Sequence, residues 1–266
     1  MKFIYFNNGS GLGTAKSGGT ARHIETARGL IERGEDVYIV TTSGARTLYE
    51  NEDLRPKKFF LVRANLFKTE ETSNLDRVFS YVISTIHSLL RIPLLPKVDI
   101  VYAPSDYFCD VIPSLFYKFV LPQAPVEHHY RVCKSPFERK GNFLLNFVSF
   151  VGQRFDYLLI ALFTDKVLVY DTPEGEYIAD MIFGKDIPRD KVSHVFNGLN
   201  FSEIEKAPQG DKVYDACFAG GLRPTKGIYD IFPVWSRVCK YKEDAKLLVA
   251  GSGTSKVTAD LKEKSR

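Results

Sequence analysis

Short apolar runs alternate with longer stretches of helical periodicity from the first residue of this chain onward. Runs of strand length fall at Lys2 to Phe6, Asp36 to Thr41, Lys58 to Val62, Asp99 to Tyr102, Pro125 to His128, Lys166 to Tyr170 and Val192 to Val195. Alternation of such runs with helical stretches predicts a mainly parallel sheet covered by helices. Thr20 to Arg33 is a predicted helix: Ala21, Ile24, Ala27, Leu30 and Ile31 recur at helical spacing, and Gly34 stands where a terminating glycine belongs. Phe143 to Phe163 is a long amphipathic stretch, interrupted by Gln153, Arg154 and Asp156, which argues against a membrane span.

The pattern changes after Val195. Residues 197–212, with Asn197-Gly198, Pro208 and Gly210, are polar and turn-rich and read as a linker between a first domain, 1–196, and a second, 213–266. The second part reads as a strand (Val213 to Ala219), a helix (Gly227 to Cys239), a strand (Lys246 to Ala250) and the start of another helix. One such β-α-β unit leaves a sheet edge and a helix face unpaired, so the second domain is expected to be incomplete, from a C-terminally truncated sequence.

Composition narrows the function classes. The chain is 44% hydrophobic and 13% aromatic over 266 residues, ample for packed cores. Lys plus Arg number 36 against 32 Asp plus Glu, a net charge of +4, which suits an anionic ligand or an anionic membrane surface. No arginine-rich tract or stacking-aromatic motif points to nucleic acid. Cys109, Cys133, Cys217 and Cys239 lie far apart, without Cys-x-x-Cys pairs or zinc spacing, so buried thiols in a reducing, cytoplasmic setting are expected. The apolar start, Met1 to Phe6, is too short for a signal peptide. The segment 130–142 carries Arg131, Lys134, Arg139 and Lys140 just before the amphipathic stretch. A peripheral contact with anionic lipid at the inner face of a membrane is one reading, and a solvated basic loop beside a packed helix the other.

Candidate chemistry gathers where strands meet glycine turns. Asn7 to Gly19 is glycine-rich and leads into a helix, but the spacing is not G-x-G-x-x-G and the second strand ends in Thr41-Thr42 with no acid for a ribose, which disfavours an NAD enzyme. Gly18 and Gly19 end that loop just before the helix, where backbone N–H groups converge; close packing of helix on strand is the competing explanation. His128 and His129 sit at a strand's carboxyl end, where an imidazole can donate to a sugar hydroxyl or a developing charge. In the second part, Phe218-Ala219-Gly220-Gly221-Leu222-Arg223-Pro224-Thr225-Lys226-Gly227 reads as strand, glycine turn with two cations, and helix start, an arrangement suited to a phosphorylated ligand. Lys246-Leu247-Leu248-Val249-Ala250-Gly251-Ser252-Gly253 is a second strand feeding a glycine turn.

These blocks resemble the retaining glycosyltransferases of family 4, which have the GT-B fold of two Rossmann-like, doubly wound α/β domains. Family members read Phe-x-Gly-Arg-Leu-x-x-x-Lys-Gly at the first turn; here Gly221 replaces the phosphate-binding arginine and Arg223 lies two residues on. Thr164 to Tyr170 and Asp190 to Asn200 resemble the family text Ala-Asp-Lys-Val-x-Val-x-Ser and Lys-Val-x-Val-x-Pro-Asn-Gly-Val-Asp, with Asp171-Thr172 for the usual Ser-Glu and Asn200 for the usual Asp. The resemblance implies transfer of a sugar from a nucleotide-diphosphate sugar to a glycan or lipid-linked acceptor with retention, no required metal or cofactor, and no nucleic-acid partner. It implies donor-phosphate roles for Gly18, Gly19, Arg223, Lys226, Gly227, Gly251 and Gly253, a hinge at Asn197 and Gly198, and a catalytic role for His128 or His129. A nucleotide-sugar epimerase or phosphorylase on the same scaffold, or an inactive fragment, are the rival readings.

Overall fold

The computed structural model describes residues 1–9, 18–64, 74–120, 124–128, 137, 143–184, 189–196, 204–206, 208, 210–222 and 226–264. The chain divides into two compact units, Met1–Asn200 and Phe201–Arg266, and the division falls within the segment 197–212.

The first unit runs β1 (Lys2–Asn7), α1 (Gly18–Glu32), β2 (Asp36–Thr42), α2 (Ser43–Asn51), β3 (Lys58–Val62), α3 (Asn74–Arg91), β4 (Ile100–Ala103), α4 (Phe108–Val120), β5 (Ala124–His128), α5 (Phe143–Phe163), β6 (Lys166–Tyr170), α6 (Pro173–Phe183) and β7 (Val192–Val195). All neighbouring strands pair in parallel, in the order β3-β2-β1-β4-β5-β6-β7. The order reverses between β1 and β4. Right-handed crossovers then put α1 and α2 on one face and α3 to α6 on the other.

Side-chain alternation along the strands feeds two cores at once. Phe3 and Tyr5 of β1 point toward Ile24 and Ala27 of α1 and Leu48 of α2. Ile4 and Phe6 turn to the other face, against Val101, Ile92 and Tyr117. A third cluster joins Val167 and Val169 of β6 to Ile160 of α5 and Ile178 of α6. Each fully buried large apolar side chain contributes about 1.5–3 kcal/mol. Local chemistry sets the ends. Thr42 and Thr172 accept from the N–H groups of Ala45 and Gly175 at the starts of α2 and α6. Gly34, at φ 80°, lets the chain leave α1 in a conformation other residues resist.

The second unit holds β8 (Ala216–Ala219), α7 (Ile231–Val238), β9 (Leu247–Ala250) and α8 (Ser255–Lys264), with β8 and β9 parallel. Leu222, Ile228 and Leu261 are its buried hydrophobics, with Phe218, Phe232 and Val257 partly buried around them.

Two expectations are corrected. The helix read from Gly227 begins instead at Ile231, because Gly227 has φ 73° and closes a turn through Asp230 N–H to its own carbonyl at 3.0 Å. Pro233 fits that later start, since in a first turn its missing N–H has no intrahelical partner to lose. Of the three cysteines in the described residues, Cys109 alone is buried; Cys217 is exposed and Cys239 half-buried. Cys217 lies on a β8 strand with little packed over it.

Candidate functional site

The strand order makes the carboxyl ends of β1 and β4 a topological switch point, where α1 and α4 leave the sheet in opposite directions, the position at which open α/β sheets bind ligands. Asn7, Asn8 and Gly9 end β1 there, and Ser105, Asp106 and Tyr107 follow β4. All but Tyr107 are buried.

Asp110 organises this edge. Its Oδ1 accepts the backbone N–H groups of Asn8 at 2.5 Å and Gly9 at 3.0 Å, and its Oδ2 accepts the Ser105 hydroxyl. It lies in the first turn of α4, where the helix dipole favours negative charge. Burial nevertheless pushes its pKa up to about 7, against the pull of those three hydrogen bonds. Asn8 extends the network, its amide donating to Ser88 Oγ at 3.0 Å and the Cys109 carbonyl at 2.9 Å. One central strand is thereby tied to α3 and α4.

A second polar group flanks it. The Asn7 amide nitrogen lies 2.9 Å from His23 Nε2 and also donates to the Tyr49 hydroxyl. Burial, reinforced by neighbouring Arg22, lowers the His23 pKa to about 3, so the imidazole is neutral and its Nε2 can accept from Asn7. His23 Nδ1 and Asn8 Oδ1 are buried and find no hydrogen-bond partner among the described residues. Further along the edge, Gln153 of α5 donates to Asp106, at 2.5 Å. Burial, with Asp106 adding to it, raises Asp156 to about 8, and its Oδ1 also lacks a hydrogen-bond partner among the described residues.

The rim is aromatic. Tyr107 and Tyr81 stack with ring centroids 5.5 Å apart, and the Tyr81 hydroxyl donates to the Gly9 carbonyl at 3.3 Å. A side chain at position 9 would put its Cβ 2.3 Å from Tyr107 Cδ2, so only glycine lets the ring lie against β1.

The sequence-predicted residues divide unevenly over this frame. His128 is the last residue of β5, one strand beyond β4 on the same edge. Gly18 and Gly19 form the first turn of α1. His129, Arg223, Asn197 and Gly198 lie outside the described residues. Asn7, Asn8, His23, Asp110 and Asp156 are not among the candidate site residues that the sequence pattern points to. A polar Asn-Asn pair closing an apolar strand was the available signal.

In the second unit, Gly251 and Gly253 have a packing reason to be glycine. A Cβ at Gly251 would sit 1.8 Å from the Gly220 carbonyl oxygen, and one at Gly253 2.7 Å from that of Leu222. The two turns touch through Gly220 N–H to the Ala250 carbonyl at 3.0 Å and Leu222 N–H to the Ser252 carbonyl at 2.8 Å. Those N–H groups are therefore committed within the protein. Lys226 is exposed beyond the turn, five residues before α7 begins.

No family model matches the chain, and no curated protein matches it by sequence. Solved structures do share its fold. The UDP-GlcNAc 2-epimerase of Methanocaldococcus jannaschii matches with a TM-score of 0.55 at 14% identity, over 100% of this chain and 69% of that one. MurG of Acinetobacter baumannii matches at 0.51 and 14%, over 99% and 64%. The catalytic domain of starch synthase IV from Arabidopsis thaliana, bound to ADP and acarbose, matches at 0.53 and 11%, over 98% and 70%. The chain thus spans 64% to 70% of the length of these three proteins. The likeness is one of fold: α/β, GT-B type, built on Rossmann-like units.

Proposed function

We propose that this chain is a glycosyltransferase, moving a sugar from a nucleotide-diphosphate sugar to a glycan or lipid-linked acceptor with retention of anomeric configuration. The observation that carries the reading is that each unit of this GT-B-type chain ends parallel strands at glycines, Gly9 at the switch point and Gly220 and Gly251 after β8 and β9. In this reading the first unit serves the acceptor. His128 or His129 donates to a sugar hydroxyl, and a sugar ring lies against Tyr107. The second unit serves the donor. Because the N–H groups of Gly220 and Leu222 are already bonded, the diphosphate is gripped mainly by the side chains of Lys226 and Arg223. No metal or other cofactor takes part in it, and the resemblance to family 4 supplies the retaining outcome.

The test is a panel of nucleotide sugars incubated with candidate acceptors, reading sugar transfer separately from nucleotide release, with Lys226→Ala alongside. Lys226→Ala is expected to weaken donor binding or turnover at least about tenfold with the fold intact. Unchanged kinetics would place the diphosphate elsewhere. A likeness spanning the whole chain to a nucleotide-sugar epimerase favours one second reading. It replaces the first if the sugar is epimerised or released with no transfer to any acceptor.

A further inference from the structure

Three neighbouring helices of the first unit carry large apolar side chains on their outer faces, although α4 and α5 also bury Leu115, Tyr117, Tyr157 and Ile160 in the core, and all three hold polar side chains inward. On α3, Ser80, Ser84 and Ser88 are buried, while Phe79, Ile86 and Leu90 are 64%, 53% and 70% exposed. On α5, Asn146, Gln153 and Asp156 are buried, while Phe147, Phe155, Leu158 and Leu162 are exposed. Between them, α4 buries Asp110 and Ser114 and exposes Phe116 and Phe119. The three helices pack side by side, α3 on α4 and α4 on α5, on one side of the sheet. Their inward polar groups are joined by the bonds of Asn8 to Ser88, Ser105 to Asp110 and Gln153 to Asp106. A water-facing helix covers its outer face with charged and polar residues instead. Polar groups between helices and apolar groups outside them suit a surface that meets something other than water.

Charge identifies the partner. The carboxylates on these helices are Asp76, half-buried, and the buried Asp110 and Asp156. Arg63 after β3 and Lys97 before β4 are exposed and Arg91 ends α3 half-buried, while the exposed acids nearby, Asp99 and Asp165, are engaged by the Lys2 N–H and by Lys118. An apolar face with inward-held acids and peripheral bases is complementary to acyl chains edged by anionic headgroups. A second copy of this chain is disfavoured, because a two-fold contact through one patch sets its cations against themselves. No helix among the described residues is long and apolar enough to cross a membrane, so the contact lies in the interface plane.

We infer that α3, α4 and α5 form a membrane-docking face that rests this protein on an anionic lipid bilayer. The docking stands independently of the sugar-transfer reading. It also bears on the edge of the site, since helices in a parallel α/β sheet start at the carboxyl ends of the strands.

The experiment is flotation of the full chain with vesicles of phosphatidylcholine alone or with about one third phosphatidylglycerol. The chain is expected to float with the anionic vesicles, less so in high salt. The paired substitutions Phe79→Gln with Leu90→Gln, and Phe155→Gln with Leu158→Gln, are each expected to cut that partition at least about tenfold. Being at exposed positions, they should leave the thermal melt unchanged or raised. As a check that does not depend on those variants, Leu90→Cys is labelled with a polarity-sensitive dye, with Cys133, Cys217 and Cys239 changed to Ser. Its emission is expected to shift to the blue on anionic vesicles. The inference is overturned if the chain stays unbound, if the Gln pairs float as well as the parent, or if the dye does not respond. A lipid-free dimer that the Gln pairs dissociate would also overturn it and assign the face to a second copy.

Discussion

The two units use the same strand-turn-helix chemistry with very different packing behind it. In the first, β1 is hydrogen-bonded on both edges and covered on both faces, with Ile4 and Phe6 fully buried. In the second, β8 and β9 form a two-stranded sheet, Leu248 and Val249 stay partly exposed, and three side chains make the buried centre. A polar network needs a rigid surround to hold unpaired atoms and shifted carboxylates out of water. That is where they occur: Asp110, Asp156 and His23 all belong to the first unit. The turns of the second unit rely on backbone contact and side-chain cations, which need less enclosure.

Thiol reactivity breaks the comparison most directly. In a Cys133→Ala background, Cys217 is expected to label with a thiol reagent at least about a thousandfold faster than Cys109, which reacts only after the first unit opens. Equal rates would mean that the first unit is no better packed than the second. In urea, Phe6→Ala is expected to destabilise the first unit by about 4 kcal/mol while leaving Cys217 labelling unchanged. Gly251→Ala should do the reverse. Its Cβ cannot occupy the space of the Gly220 carbonyl, so the second unit loses about 3 kcal/mol, read as faster proteolysis confined to residues after Phe201. The smallest effect is electrostatic. Asp156 has a raised folded pKa of about 8, so it favours the folded state below the ordinary carboxylate range and that contribution is lost as pH rises through about 8. Asp156→Asn is expected to flatten the fall in stability between about pH 4 and pH 8, a gain of about 2 kcal/mol above that range. An unchanged pH profile of the melting temperature would show that Asp156 is ionised in the fold.

Legibility in the sequence followed the range of the interactions. Strands β3, β6 and β7 were read to the residue, because an apolar run bounded by turn residues is a local signal. The start of α7 lies four residues beyond the predicted Gly227, because that glycine adopts φ 73° in a turn, and Pro233 is the local sign of the later start. Asp110 could not be found from its neighbours, since the backbone groups it accepts from are about a hundred residues earlier. The outward apolar stripe of α3 illustrates a different limit. Periodicity reveals that a helix has two faces, but not which of them the remaining chain will cover. Knowing that required the sheet order, which puts serines over the switch point and phenylalanines away from it.

The junction of β1 with β4 also has a kinetic consequence. The strands β1 to β3 are joined by local crossovers, as are β4 to β7, yet in the sheet the two sets meet along the β1–β4 pairing, from Phe3 with Ile100 to Tyr5 with Tyr102, and where Lys2 N–H bonds to the Asp99 carboxylate, contacts spanning 97 residues of chain. Closing that loop has an entropy cost that no nearby pairing offsets beforehand. The two half-sheets should therefore assemble separately and join late, and mutations along this seam should slow refolding more than equivalent ones at β2 or β6.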